Sequence, residues 1–490
     1  MSPSSPTIVV TARSVEADFD PWLIVRALPT RWRPILLDSG GDVERARWSL
    51  WAARPTQVHA VRAAELLPLA RDDRARRLYG PLAPPEVAWR IEAELAIDEL
   101  PFLGGWIGRI DYEAGALCAA RPLAPRDPRA ARDVLRFGFY PRVYLHDRRE
   151  HRVLRCELRN APARRSSRRS ARRATRVADR CAGPSAELAA YEARVEEAQR
   201  LIAAGDIYQV NLSAELARGA ALDARRLYGA LRAISPAPYG AFAAEPEGAL
   251  LCNSPELHFR TRGLAWHTEP IKGTRARGAE PRADRAAREE LLASEKDRAE
   301  LAMIVDLYRN DLGRLALPGS VRVPEGIQLR SFANVHHLMA EVLARSAARI
   351  DPARALLALF PAGSITGAPK QRAMEIVRAL EERDRGIYCG AIGAVDVRGE
   401  MMFNVAIRSA EVVRGELSLR MGAGIVADSS PASELAELHA KAAAWRRALA
   451  CVSDHSVASR RRNPSRENGA PADDEPRRPS PEAASVKEPA

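Results

Sequence analysis

Three features of the sequence predict a mixed α and β fold. Runs such as Tyr208 to Leu216 and Phe403-Asn-Val-Ala-Ile407 alternate with the two-residue period of a strand. Runs such as Glu187 to Ala204 and Ser433 to Leu449 repeat every three to four residues, the period of an amphipathic helix. The two kinds alternate as far as Val452, and 490 residues with 46% hydrophobic content suffice for an extensive core of two to three domains or one composite one.

In chain order, residues 1 to about 8 read as a loose leader. Arg33 to Ser39 reads as a strand ending at Gly40 and Gly41. Glu86 to Leu100 has helical periodicity, and Phe102 to Gly108 is strand-like with glycines that permit close backbone approach. Phe137 to His146 and Glu150 to Glu157 read as a hairpin. Ala161 to Pro184 is nearly all Arg, Ser and Ala without apolar period, the composition of a linker. Beyond it come a helix from Glu187 ending at Gly205, a strand Tyr208 to Leu216, and a strand Leu264 to Thr268 with Lys272 in the turn after it. Helices are expected over Asp284–Leu312, Pro352–Leu359, Lys370–Glu382 and Ser433–Leu449. The polar stretch after Val452 reads as a disordered tail. The expected organisation is an N-terminal region 1–160, a linker 161–184, a catalytic region 185–452 and a tail 453–490.

The formal charge of +12 is concentrated in arginine-rich patches, notably Arg164–Arg180 and Arg460–Arg466. Such a balance suits nucleic acid, a membrane surface or anionic small molecules. No aromatic residues interleave the basic linker for base stacking, so nucleic acid is not the expected partner, though a nucleic-acid-binding role for that segment is the alternative of a different class. The six cysteines are scattered without a C-x-x-C pair, against a zinc site or a disulfide scaffold and in keeping with a reducing cytoplasm. No signal peptide and no apolar run of membrane-spanning length is evident, so a cytoplasmic protein without a membrane partner is expected.

Several stretches carry chemistry. Pro270-Ile-Lys-Gly-Thr274 puts one lysine beside a glycine after a rigid proline, a candidate nucleophile if its surroundings suit it; alone, such a lysine is more often merely solvated. Asp297 and Glu300 are three apart on one expected helix, and Glu434, Glu437 and Lys441 line one stripe of another. Carboxylates from two helices can hold one Mg²⁺, although surface salt bridges use the same spacing. Gly422-Ala-Gly424, expected in a small-residue turn, lets backbone N–H groups approach a carboxylate. Arg408 follows an apolar strand, and its fork matches an anionic partner. Glu256 follows a proline turn, where partial desolvation would suit a general acid. Thr366 lies in the Gly363-to-Lys370 helix entrance, which lacks the P-loop order. His336 and His337, on an expected strand, should face opposite ways.

Together these stretches resemble the chorismate-utilising enzymes. The motifs are Gly205-Asp-Ile-Tyr-Gln-Val-Asn-Leu-Ser213, Ser254-Pro-Glu256, Pro270 to Thr274, the Ser294–Leu312 helix, Gly363 to Lys370, Arg408-Ser409, Gly422 to Gly424 and Ser433 to Lys441. The resemblance implies an α+β fold of two packed, largely antiparallel sheets flanked by helices, as in anthranilate synthase component I. It also implies a substrate, chorismate, bound with Mg²⁺ through Glu300 and Glu437, with Asp297 and Glu434 in support. Arg408, Lys441 and the Gly422, Ala423 and Gly424 amides would cradle the anionic groups, with Thr366 at the ring, His337 as an active-site histidine and Glu256 as the acid. Gln209 stands where water-using relatives carry a lysine, which points to the ammonia-using branch. Lys272 stands where anthranilate-forming relatives carry alanine, which points to the branch making 4-amino-4-deoxychorismate for p-aminobenzoate and folate synthesis; anthranilate formation is the alternative. Because no glutaminase sequence is visible, ammonia is expected from a separate glutaminase subunit. Two N-terminal places depart or are left open: Arg109 replaces a usual aromatic residue, and Leu36 to Ser39 resembles a tryptophan-binding region.

Overall fold

The computed structural model describes residues 7–15, 19–41, 46–84, 88–93, 99–126, 132–159, 186–220, 223–332 and 335–461. Its strands form a twelve-stranded sheet, an eight-stranded sheet and a small three-stranded one. Described pairings are antiparallel except that Thr7–Val15 runs parallel to Ala88–Ala93. One continuous apolar core contains residues of both large sheets, including Leu36, Phe242, Ile107 and Phe403. Helices flank the sheets, so the α+β class implied by the sequence motifs holds.

The N-terminal strands are woven into both large sheets. Ile35–Asp38 pairs with Tyr239–Glu245, and Gly105–Ile110 pairs with Ala391–Asp396. Arg109, on the latter strand, is buried in an ion network with Asp111 and Glu245. A buried charge needs such partners. No described helix is long and apolar enough to cross a membrane.

Some local expectations need correction. Glu86 to Leu100 contains a strand, Ala88–Ala93, not the expected helix. Polar Arg90, Glu92 and Glu94 alternate with Trp89, Ile91 and Leu95, a two-residue period that overrides the helical signal. Phe137 to His146 is not one hairpin arm: Asp133–Tyr140 belongs to the eight-stranded sheet and Arg142–Asp147 to the twelve-stranded one, where it pairs with Arg152–Arg159. The helix over Asp284–Leu312 is two, Pro281–Ala293 and Glu295–Gly313, divided at Ser294, whose Oγ caps the second by accepting from the Asp297 N–H at 3.2 Å. Ser433–Leu449 likewise divides into Pro431–Lys441 and Ala443–Arg461. The linker 161–184 and residues 462–490 lie outside the described residues.

The chain crosses from the larger sheet to the smaller between Gly248–Ser254 and Leu257–Arg262, and returns between Met401–Asn404 and Ser409–Val413. The crossings are tied side by side. Ser254 Oγ donates to the Val405 carbonyl at 2.6 Å, and the Asn253 N–H donates to the Arg408 carbonyl at 3.0 Å. Glu256 and Arg408 therefore sit where the two sheets join.

Candidate active site

Lys272 lies on a strand, Ile271–Ala276, not in the turn expected of it; Pro270 alone separates that strand from Ala265–Glu269. That strand pairs with Val335–Met339, and the register slips at Gly273, whose φ is +71°. Gly273 is required twice over, by this left-handed backbone and by helix Glu295–Gly313, since an added Cβ would lie 3.0 Å from the Asp297 Cβ. The bulge aims Lys272 inward. Its side chain is 13% exposed and Nζ is 3.7 Å from Glu300 Oε2. On the other flank stands Gly424, where a Cβ would fall 2.6 Å from Lys272 Nζ and 2.7 Å from Gln209 Nε2. The lysine is thus enclosed between an acidic helix and a glycine strand, away from bulk water.

Gln209 is fully buried at the start of strand Gln209–Ala220, and neither its Oε1 nor its Nε2 has a hydrogen-bond partner among the described residues. A buried amide left so is costly unless a ligand satisfies it. Gly422, Ala423 and Gly424 form part of strand Glu416–Ile425, paired with Gln209–Ala220, rather than the expected turn. An added Cβ at Gly422 would strike the Leu212 carbonyl oxygen at 2.5 Å, so small residues serve close strand packing here as well as access.

The four expected metal carboxylates lie on helices Glu295–Gly313 and Pro431–Lys441, and each faces a cation. Glu300 faces Lys272, Asp297 faces Arg275 at 3.2 Å, Glu434 faces Lys296 at 3.9 Å, and Glu437 faces Lys441 at 2.6 Å. Lys441 also donates to the Gly422 carbonyl at 3.0 Å. The Lys441 charge holds the Glu437 pKa below its usual value, with Lys272 and Lys296 adding to the effect. Burial raises that of Glu434, against the hydroxyl proton donated by Ser429 at 2.6 Å. Carboxylate oxygens on facing helices suit a hard ion such as Mg²⁺. The side chains are at present drawn to cations: among the described residues, the His and carboxylate ligand atoms that converge within 4.8 Å are instead those of His267, Glu269 and Glu341.

Glu256 is 3% exposed, and its Oε1 lacks a hydrogen-bond partner among the described residues. Burial pushes its pKa up to about 7, opposed by Ser364 and by the charges of Lys272, Arg408 and Lys441. Such a carboxyl holds a proton near neutrality, as a general acid must. Arg408 follows its strand in a left-handed conformation, φ +51°. Burial lowers its pKa, and Glu256 is the charge that opposes this.

His337 and His336 do face opposite ways. His336 contacts Ser331 Oγ at 2.8 Å and Asp284 at 2.9 Å. His337 Nδ1 lies 3.1 Å from the Gly273 carbonyl and 3.0 Å from Thr274 Oγ1. A carbonyl only accepts, so Nδ1 carries the proton and the buried Nε2 is an acceptor. Burial, aided by Arg408, takes the His337 pKa down to about 3, so the ring is neutral and is no acid at pH 7. Thr366 turns its hydroxyl back, donating to the Ala362 carbonyl at 3.1 Å, which leaves only lone pairs for a ligand. Three participants were not singled out in the sequence, although the first and last lie inside its motifs: Ser364 beside Glu256, Ser429 on Glu434, and Lys296. Lys296 was legible in principle, because it stands four residues before Glu300 and shares its helix face.

Lys272, Glu256, Arg408, Lys441 and the two acidic helices are thus gathered between two large antiparallel sheets, within electrostatic reach of one another. The sequence pattern of the chorismate binding enzymes matches residues 48–447, and the chain belongs to that family. It is 40% identical to aminodeoxychorismate synthase component 1 of Bacillus subtilis, over 53% of this chain and 55% of that one, so the match spans about half the length of that relative. It is 39% identical to anthranilate synthase component 1 of Streptomyces coelicolor over 69% and 71%, and 38% identical to aminodeoxychorismate synthase component 1 of Klebsiella aerogenes over 69% and 75%. The fold is similar to the crystal structure of anthranilate synthase component I from Streptococcus pneumoniae, with a TM-score of 0.67 at 27% identity, covering 82% of this chain and 92% of that one.

Proposed function

We propose that the chain is the chorismate-converting component of an aminodeoxychorismate synthase, acting with Mg²⁺ and ammonia to form 4-amino-4-deoxychorismate, a precursor of p-aminobenzoate and folate. One observation carries the choice within the family: Lys272 is enclosed between Glu300 and Gly424 rather than extended to solvent. The similar identities of anthranilate-forming and aminodeoxychorismate-forming relatives favour neither product. Glu300 and Glu437, with Asp297 and Glu434, would hold the magnesium, which supplies positive charge for the ring carboxylate. Arg408 and Lys441 would receive the other anionic groups.

In this scheme the Lys272 amine bonds to ring C2 as the double bonds shift and the C4 hydroxyl leaves as water with the proton of Glu256. Ammonia, admitted beside Gln209, then bonds to C4; the C2–nitrogen bond breaks, Lys272 departs, and the surplus ammonia proton returns to Glu256. The relatives' designation as component 1 supports a separate glutaminase subunit as the ammonia source.

The test is to incubate the chain with chorismate, Mg²⁺ and ammonium and to identify the product by mass and chromatography. Aminodeoxychorismate is expected, with the Lys272→Ala rate lower by at least about 10², the scale of catalysis by one positioned side chain. Glutamine in place of ammonium should give no product without a partner subunit. Anthranilate as product, or an undiminished rate in the alanine variant, would refute the assignment.

A further inference from the structure

The proposed metal carboxylates are each paired with a cation. Two of these cations, Arg275 and Lys296, have no assigned duty toward the ring, and Lys441 is assigned to the substrate's anionic groups. Lys272 differs, because it is also the expected nucleophile. Its ammonium is 3.7 Å from Glu300, and its charge also acts on Glu437, so it bears on both residues assigned as principal metal ligands. Both ends of the pair are largely enclosed, with 13% and 14% side-chain exposure, where solvent and salt screen charge weakly. A divalent ion approaching Glu300 and Glu437 meets a cation already in place.

We propose that Lys272 is the ion that closes this metal site, so that divalent metal and Lys272 compete for Glu300 and metal entry moves the ammonium toward the ring, where it gives a proton to solvent before it attacks. This rests on the metal assignment in the proposed function. The exit is short: Nζ already lies against Gly424 and beside the Gln209 amide, whose two polar atoms have no hydrogen-bond partner among the described residues. The Gln209 Oε1 can accept a hydrogen bond from the displaced ammonium. The nucleophile is then held back until the ion that binds the substrate has arrived, which spares chorismate from attack in an incomplete site.

The test measures Mn²⁺ binding to the metal-free full chain, by the electron-spin signal of free Mn²⁺, in the absence of substrate. Lys272→Met keeps most of the length and removes the charge, and should bind Mn²⁺ about tenfold more tightly than the parent. Lys272→Arg keeps the charge and should not tighten binding. Glu300→Gln should weaken it. If Glu300→Gln loses Mn²⁺ while Lys272→Met binds within twofold of the parent, the competition is refuted and the metal assignment survives. If Glu300→Gln binds as well as the parent, the metal assignment itself fails, and the competition with it.

Discussion

Glu256 shows how one residue acquires a task from its surroundings. A carboxyl ordinarily ionises near pH 4.5, yet burial at the sheet crossing moves this one to about 7, although three cations oppose the shift. Because the folded-state pKa is raised, the protonated form prevails below about 7 and is lost as pH rises through it. If Glu256 is the acid, kcat/KM should fall on the alkaline side with an apparent pKa near 7. Glu256→Gln should abolish that limb and lower the rate by about 10²–10⁴-fold. A parent profile flat from pH 6 to 9 would mean that another group supplies the proton. His337 illustrates the converse: the same burial drives a base to about 3 and leaves it a neutral acceptor.

At the level of the element, strand Glu416–Ile425 carries two glycines with different duties. A methyl group at Gly424 would meet the far ends of two flexible side chains, Lys272 and Gln209, both of which can move. Gly424→Ala should therefore leave thermal stability within about 0.5 kcal/mol of the parent while lowering kcat sharply. A methyl at Gly422 would meet the Leu212 carbonyl oxygen and the Tyr388 hydroxyl, both at 2.5 Å, and backbone cannot yield so readily. Gly422→Ala should lower the melting temperature. Melting curves and steady-state rates on both variants decide it, and a Gly424→Ala enzyme of parental activity would remove the close approach from the mechanism. The small-residue spacing of these glycines was visible in the sequence. Their place in a strand was not, because only pairing with residues some two hundred positions earlier makes that run extended.

For the whole molecule, the interleaving of N-terminal strands decides how it folds. Ile35–Asp38 and Gly105–Ile110 are interior strands of the two large sheets, each with neighbours from beyond residue 238 on one side. Residues 185–452 produced alone would expose unpaired strand edges in both sheets. That fragment is expected to show no cooperative denaturation, measured by circular dichroism against urea, whereas the full chain should show one. Cooperative unfolding of the fragment would mean that the catalytic region closes its sheets without the N-terminal strands.

The sequence by itself determined the family, the residue types on offer and the helices and strands that carry the motifs, since motif spacing and periodicity are properties of contiguous chain. Lys272, Glu256, Gln209, Arg408 and the two acidic helices were all legible in that way. Only the tertiary structure decided that Lys272 sits on a bulged strand facing Glu300, that each acidic residue is matched by a cation, that Ser364 and Ser429 attend the buried acids, and that Ala88–Ala93 is extended. Those outcomes depend on which distant segments pack together and on how much water they exclude, and a linear pattern records neither.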